Sequence, residues 1–256
     1  MSSNSSANFH HLLPQAQIQA TVRGWLDDDM PGFDVGGLVV GDAIKEAKLL
    51  LKSPGVFAGK PFCQAVFDEL GCAVRWSDDH KEGDDLQHAT GDHTVCLAVI
   101  SGPVHRLLQG ERTALNALSR CSGVATLSRI AVARARSLGW KGHVAGTRKT
   151  TPGFRVVEKY GLLVGGAATH RLDLSQMVML KDNHIWATGS ITQAVVKAKA
   201  AAGFSQKIEV ECQTLEEAIE AATAGADVSL VRGLGFFVWS LLFVFYRNTY
   251  RSLAFT

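Results

Sequence analysis

Residues 146–184 read GTRKTTPGFRVVEKYGLLVGGAATHRLDLSQMVMLKDNH, in which short apolar runs alternate with loops rich in cationic side chains. Those side chains are Arg148, Lys149, Arg155, Lys159, His170, Arg171, Lys181 and His184. Because the whole chain holds 26 Lys and Arg residues against 24 Asp and Glu residues, this density is local. Cations on loops between buried strands suit a multiply anionic small molecule. The stretch therefore predicts an anion-binding pocket.

Downstream of Gly139 the sequence has a repeating order of strand, loop and helix. Strands are predicted at residues 143–147, 177–181, 207–212 and 227–231, and helices at residues 191–202 and 214–224. The second helix opens with Thr214, and Glu217 follows three residues later, which is the pattern of a capping box. Strands separated by such helices favour parallel βα units. We therefore predict an α/β fold, built as an open doubly wound sheet or as a barrel.

The upstream part of the chain also mixes helical and strand patterns. Apolar residues recur at helical spacing over residues 18–26, which predicts a first amphipathic helix. A strand is predicted at residues 95–100, and a long helix at residues 105–138 with an interruption near Cys121. Residues 1–11 are polar and small, so they are predicted to form a disordered tail.

Composition limits the class of protein. The 256 residues are 46% hydrophobic and 20% charged, as in ordinary globular proteins, and the net charge of +2 favours no nucleic-acid partner. The five cysteines form no CxxC pair, and the N-terminus lacks a signal-peptide pattern, so we expect reduced thiols and a cytoplasmic location. The apolar run at residues 234–246 is shorter than the roughly 20 residues of a membrane span, so no span is predicted.

Four strings within the chain carry a family resemblance. They are ERTALNALSRCSGVAT at residues 111–126, HVAGTRKTTPGFRVVEKYGLLVGGAATHR at residues 143–171, VMLKDNH at residues 178–184 and VEC at residues 210–212. Together they resemble the quinolinate phosphoribosyltransferases. The resemblance implies an N-terminal α/β sandwich at residues 12–125, which includes the start of a linking helix. It also implies an irregular α/β barrel at residues 126–231, truncated here, with its site at the carboxyl ends of the strands.

The resemblance also implies a reaction. The family transfers phosphoribose from phosphoribosyl pyrophosphate (PRPP) to the ring nitrogen of quinolinate and releases carbon dioxide. The products are nicotinate mononucleotide and pyrophosphate, on the route to NAD. Mg²⁺ is expected as a cofactor held mainly through PRPP, so no set of protein metal ligands is predicted. Quinolinate has two carboxylates and PRPP several phosphates, which accounts for a strongly cationic site.

Residues of this chain that match the family's motifs take the family's roles as expectations. The substrate-binding set is Arg112, Arg148, Lys149, Thr150, His170, Arg171, Lys181 and Glu211, of which Lys149, Lys181 and Glu211 are also expected to be catalytic. Arg112 resembles an arginine that a neighbouring subunit contributes, which implies a homo-oligomer, either a dimer or a hexamer of dimers. Asp182, Asn183 and His184 are expected to line the pocket, without a named role.

The resemblance fails near the end of the chain. Where the family has an aspartate at the metal and ribose site, this chain has Arg232, and the family's glycine-rich phosphate loop does not follow. Residues 232–256 are therefore predicted to be an apolar tail foreign to the family. Two hypotheses remain open at this point. The chain is either a quinolinate phosphoribosyltransferase, or a catalytically impaired variant that keeps only the quinolinate-binding half of the site.

Overall fold

The computed structural model describes residues 9–86, 94–231 and 253–255, and these divide into two compact units. The first unit takes the chain through Gly146, then Thr150–Thr169 and the C-terminal strand. The second unit takes Thr147–Lys149 and His170–Val244. The predicted boundary at residue 125 lies inside a helix of the first unit, and the domain division stays a prediction.

Both units contain helices and strands. In chain order they are a 3₁₀ turn at Phe9–Leu12, α1 (Gln15–Asp29), α2 (Val35–Val40), β1 (Ile44–Leu51), α3 (Lys60–Glu69), β2 (Ala73–Trp76), β3 (Val95–Pro103), α4 (Val104–Ser137), α5 (Arg155–Val164), β4 (Met177–Leu180), α6 (Asp182–Thr188), α7 (Ile191–Ala202), β5 (Lys207–Cys212), α8 (Leu215–Ala224), β6 (Val228–Val231) and β7 (Leu253–Phe255). The 3₁₀ turn occupies part of the tail that was predicted to be disordered, and residues 1–8 lie outside the described residues.

The first unit is an antiparallel sheet covered by helices. Its strand order is β2-β3-β1-β7, and β1 pairs with β3 from Ile44 opposite Pro103 to Leu51 opposite Val95. The short β7 lies at the edge beside β1 and belongs to the segment predicted to be a foreign tail. The core gathers fully buried aromatic side chains, among them Phe62 and Phe67 of α3. Burying each such ring contributes about 1.5–3 kcal/mol to the stability of the unit.

Helix α4 runs without a break through Cys121, where an interruption was predicted. The small polar residues near Cys121 contact a neighbouring loop instead. The Thr126 hydroxyl accepts a hydrogen bond from the Val56 amide at 2.8 Å, and the Ser122 hydroxyl donates to the Ala58 carbonyl at 2.9 Å. Polar side chains that suggest a helix end in the sequence therefore hold a neighbouring loop against the helix.

Helix α5 packs closely on α4 because it presents glycine at the contact. A Cβ atom added at Gly161 would lie 2.7 Å from the Cys121 carbonyl oxygen of α4. The same helix carries a buried cation, Lys159, which is only 2% exposed and donates a hydrogen bond to the Thr169 carbonyl. Burial, reinforced by the nearby Arg155, lowers the pKa of Lys159 to about 8.

The second unit is a parallel three-stranded sheet of order β4-β5-β6. Three predicted strands are confirmed as β4, β5 and β6, whereas the strand predicted at residues 143–147 is wrong. In the first unit that segment forms only an isolated bridge between Ala145 and Ala168. The α/β class is confirmed, and the described residues of the second unit form parallel strands without closing a barrel.

Two of the three described helices of the second unit were predicted, whereas α6 was not. Both α7 and α8 form where helices were predicted, and Thr214 accepts a hydrogen bond from the Glu217 amide at 3.2 Å. The Glu217 carboxylate accepts instead from the Gln213 amide at 2.6 Å, one residue before the helix cap. The predicted capping box is thus formed in its first half, with its second half shifted by one residue.

Close packing between α4 and α5 predicts a substitution effect. Gly161→Ala should lower the free energy of unfolding by about 1–3 kcal/mol, since a new methyl group meets helix backbone. The matched control is Gly24→Ala in α1, where nothing lies within 4 Å of the new Cβ. That change should stabilise by about 0.5–1 kcal/mol through helix propensity. Urea unfolding measures both, and equal stabilities for the two variants would contradict the packing.

The buried Lys159 predicts a pH effect on stability. Its folded-state pKa of about 8 lies below the value of an unfolded chain, so between about pH 8 and pH 10 the unfolded state binds more protons. The stability of the native protein relative to Lys159→Met should therefore rise with pH in that window, by at most about 1.4 kcal/mol per pH unit. Urea unfolding at pH 7, 8.5 and 10 measures this difference, and a difference independent of pH refutes it.

Candidate functional site

The predicted site residues are divided between the two units. Arg148, Lys149, His170, Arg171, Lys181 and Glu211 belong to the second unit, whereas Arg112 and Thr150 belong to the first. In the second unit the strands β4 and β5 run parallel, so their carboxyl ends meet at one edge of the sheet. Lys181 follows β4 directly and Glu211 is the penultimate residue of β5. This edge is where ligands bind in open α/β sheets and barrels.

The pleat of β5 separates a core face from a site face. Ile208, Val210 and Cys212 pack into the apolar cluster that α7 and α8 cover. Successive side chains of a strand point to opposite faces, so Glu209 and Glu211 share the other face. The alternating sequence KIEVEC thus brings two carboxylates to the site side of the sheet.

Lys181 and Glu211 form an ion pair at the strand ends. The Lys181 Nζ atom lies 3.5 Å from Glu211 Oε1, with the two side chains 43% and 14% exposed. The Lys181 backbone is fixed by the start of α6, because its amide donates to His184 Nδ1 at 3.1 Å and its carbonyl accepts from the His184 amide at 2.8 Å. His184, predicted as pocket lining without a role, therefore caps α6 and sets the direction in which Lys181 leaves the strand.

A second pair joins His170 to Glu209. The His170 Nε2 atom lies 2.8 Å from Glu209 Oε2, and Glu209 is only 2% exposed. His170 is the non-glycine residue with a positive φ, 56°, among the described residues. Sequence reasoning missed Glu209, although its position two residues before Glu211 places it on the same face of the strand.

Arg171 is held beside β4. Its guanidinium donates to the Met177 carbonyl at 2.9 Å, and a second nitrogen lies 3.6 Å from the Met179 sulfur. The planar guanidinium is a rigid fork of N–H donors, so these contacts fix its orientation.

The remaining predicted residues are placed in their own units. In the second unit Arg148 and Lys149 are exposed, and the Lys149 amide donates to the Thr147 hydroxyl at 3.2 Å. In the first unit Arg112 lies on α4 with an exposed side chain, 4.0 Å from Glu111. Thr150, in the first unit, accepts a hydrogen bond from Arg155 Nε at 3.2 Å.

Taken alone, the site of the second unit is a cation-rich edge with two fixed carboxylates. Such a set binds anionic groups and offers Glu211 to hydroxyl groups or to the water shell of a metal ion. Among residues 9–86, 94–231 and 253–255, no cluster of three His, Cys, Asp or Glu side chains is arranged to hold a metal. Within the same residues, no helix is long and apolar enough to cross a membrane. Arg232 and residues 234–246 lie outside the described residues.

Comparison with family models covers most of the chain. Residues 34–122 match the N-terminal domain of quinolinate phosphoribosyl transferase, and residues 124–232 match its C-terminal domain. The second match ends at Arg232, where the predicted foreign tail begins.

Individual proteins agree with the family models. A rat protein named nicotinate-nucleotide pyrophosphorylase [carboxylating] is 54% identical over 220 residues, which cover 86% of this chain and 71% of the rat protein. A human protein of the same name is 53% identical over 220 residues, with 86% and 72% covered. The crystal structure of NadC from Streptococcus pyogenes superposes with a TM-score of 0.77 at 34% identity, covering 91% of this chain and 82% of that one.

These comparisons confirm the resemblance read from the four sequence strings. They favour the family's reaction over the alternative of an impaired half-site variant, because both domain models match and the relatives share about half of their residues with the chain. The chain belongs to the quinolinate phosphoribosyl transferase family.

Proposed function

We propose that this chain is the carboxylating phosphoribosyltransferase that converts quinolinate and PRPP to nicotinate mononucleotide, pyrophosphate and carbon dioxide in NAD biosynthesis. The observation that carries the proposal is the cation-rich edge of the second unit, where Lys181 pairs with Glu211 of β5 and Arg171 is held against β4. Both substrates are multiply anionic, and the leaving group is pyrophosphate. A site of this charge stabilises the anions as they bind and as charge moves to the leaving group.

The proposed roles follow the chemistry of each side chain. Arg148, Lys149, His170 and Arg171 bind the carboxylates of quinolinate, to which guanidinium groups are matched in shape. Lys149 and Lys181 face the phosphates and neutralise the departing pyrophosphate as point charges. Thr150 adds a hydroxyl or backbone contact at the end of the same loop.

Glu211 is assigned to the ribose hydroxyls. In the transfer, the ring nitrogen of quinolinate forms a bond to the anomeric carbon while the bond from that carbon to pyrophosphate breaks. The sugar carries positive charge at that moment, so a nearby carboxylate lowers its energy. The cationic ring then accepts the electron pair of the carbon–carboxylate bond as carbon dioxide leaves, and the ring carbon takes up a proton.

A magnesium ion is proposed as part of the PRPP complex. Mg²⁺ keeps several waters and binds through one or two carboxylates together with substrate phosphates. Glu211, partly exposed beside Lys181, provides a carboxylate of that kind. When bound, the ion would supply charge neutralisation to the pyrophosphate.

The assembly is proposed to be a homo-oligomer, a dimer or a hexamer of dimers, in which Arg112 completes a neighbour's site. Apolar side chains at and around α2 are largely exposed, among them Leu38 at 83% and Val39 at 81%. The cap of α2, Asp34, accepts a hydrogen bond from Gln109 of α4 at 2.9 Å, and Gln109 and Arg112 lie three residues apart on one helix. An apolar patch next to an exposed arginine suits the interface of a second copy.

The proposed location is the cytoplasm. The structure contains five free cysteines, four of them buried and one, Cys96, exposed. Free thiols persist in a reducing compartment.

The activity itself provides the first test. Purified chain with quinolinate, PRPP and Mg²⁺ should produce nicotinate mononucleotide, detected by chromatography, and Lys181→Ala should lower kcat/KM by about 10²- to 10³-fold. The matched control is Lys197→Ala, since Lys197 is an exposed lysine of α7. Absence of product from folded protein at saturating substrates would refute the proposed reaction.

Shared sites predict complementation between inactive variants. Arg112→Ala and Lys181→Ala, carried on differently tagged chains and co-expressed, should each be nearly inactive alone. If Arg112 serves the neighbour's site, a mixed dimer has one site with both defects and one intact site, so a random mixture should recover about a quarter of the native activity. No recovery in purified mixed dimers would place Arg112 in its own subunit's site.

A further inference from the structure

We propose that Glu209 is the positioning residue of the quinolinate site and acts through His170. Its carboxylate accepts the Nε2–H of the imidazole, which fixes the ring and commits Nε2, so that Nδ1 is the ring nitrogen left for the substrate. In the complex the ring acts as an imidazolium, which donates its Nδ1–H to a quinolinate carboxylate. This inference rests on the proposed function, because it assigns the role of one side chain within that site. It names a residue that the sequence motifs did not single out.

Burial makes the Glu209 carboxylate dependent on a partner. Glu209 is 2% exposed in the middle of β5, and a carboxylate removed from water is costly unless a partner compensates it. An apolar residue would fill such a position at lower cost. The partner found there is His170 Nε2 at 2.8 Å, so the pair has both short geometry and exclusion of water.

The hydrogen atom of the contact between His170 and Glu209 belongs to the imidazole. An ionised carboxylate has acceptor atoms only, so the hydrogen atom of the short contact resides on Nε2 of the imidazole. The tautomer of a histidine is set by the hydrogen bond that its other nitrogen makes. Glu209 therefore selects the Nε2–H form in the absence of substrate, as outer carboxylates do for histidines that bind metal ions.

His170 also has an unusual backbone conformation. His170 has φ 56°, in the left-handed region that costs about 1 kcal/mol for a residue with a Cβ atom. A side chain in such a conformation keeps a single direction only where its surroundings over-determine it. The bond to Glu209 supplies that constraint on the ring, and Arg171, the next residue, is held by the Met177 carbonyl. Two neighbouring quinolinate-binding side chains are thus fixed by two adjacent strands.

Substitutions of Glu209 distinguish a positioning role from a general effect on the stability of the protein. Glu209→Leu removes the acceptor, and Glu209→Gln keeps the shape of the side chain should the leucine variant fail to fold. Each should raise KM for quinolinate, Leu by about 10- to 100-fold and Gln by less, with KM for PRPP changed by no more than about twofold. Glu46→Leu is the matched control, a glutamate on the exposed part of strand β1.

A double-mutant cycle identifies the route of the effect. In a His170→Ala background, Glu209→Gln should raise KM for quinolinate no further, because its influence passes through the imidazole. An additive rise in that background overturns the proposal. So does a parallel rise in both KM values, which would indicate a structural role.

A spectroscopic readout distinguishes this inference from the reaction as a whole. Nitrogen-15 NMR of the native protein without substrate should show His170 with a proton fixed on Nε2, and Glu209→Leu should give a mixture of tautomers. If the native protein neither binds quinolinate nor turns it over, the proposed function fails while the NMR result still decides whether Glu209 sets the ring. An unchanged His170 signal in the leucine variant overturns the inference.

Discussion

The pleat of β5 is the constraint on which the described site depends. A strand at the centre of a parallel sheet must send alternate side chains to opposite faces, and here one face is apolar while the other carries Glu209 and Glu211. The helices α7 and α8 cover the apolar face and so fix which side the carboxylates occupy. A register slip of one residue would bury both carboxylates under the helices and turn Val210 toward the site.

Both carboxylates hold cationic or proton-donating partners in place before any substrate arrives. Glu211 pairs with Lys181, which α6 anchors through its backbone, and Glu209 pairs with His170. A site that must attract two anionic molecules would otherwise leave its cations to repel one another and to move freely. The carboxylates reduce that repulsion while the total charge stays positive, so the side chains are oriented without loss of attraction.

Much of this arrangement was predictable from the sequence, and the exceptions share a physical cause. The strands β4, β5 and β6 and the helices α7 and α8 follow from periodicity and turn residues, and the family strings single out Lys181 and Glu211. Glu209 was not predicted as a site residue because its burial depends on His170, which comes from a distant segment and has a left-handed backbone conformation. Lys159 is one of the cationic side chains within residues 146–184, yet it is buried, and the Thr169 carbonyl provides its partner. Neither contact leaves a signal in local sequence.

The predicted interruption of α4 and the predicted strand at residues 143–147 failed for a related reason. Small polar residues near Cys121 resemble a helix end, but their hydroxyls bond to the loop at Val56 and Ala58, which a local pattern does not reveal. Apolar residues near Ala145 resemble a strand, yet the described chain supplies a single bridging partner there. Strand formation depends on a neighbour to pair with, whereas helix formation satisfies its own backbone, so strand predictions at the edge of a unit are the less secure.

The two ion pairs of the site differ in how readily a ligand can separate them. Lys181 and Glu211 are partly exposed and 3.5 Å apart, a pair that contributes little stability and that phosphate and hydroxyl groups can replace at small cost. His170 and Glu209 are joined at 2.8 Å with a buried carboxylate, and breaking that pair would leave a charge without compensation. With the roles proposed above, the quinolinate side of the site would therefore be rigid and the phosphoribosyl side adjustable. That division matches the ligands, because quinolinate is a planar ring of fixed shape whereas PRPP is a flexible chain of phosphates around a sugar.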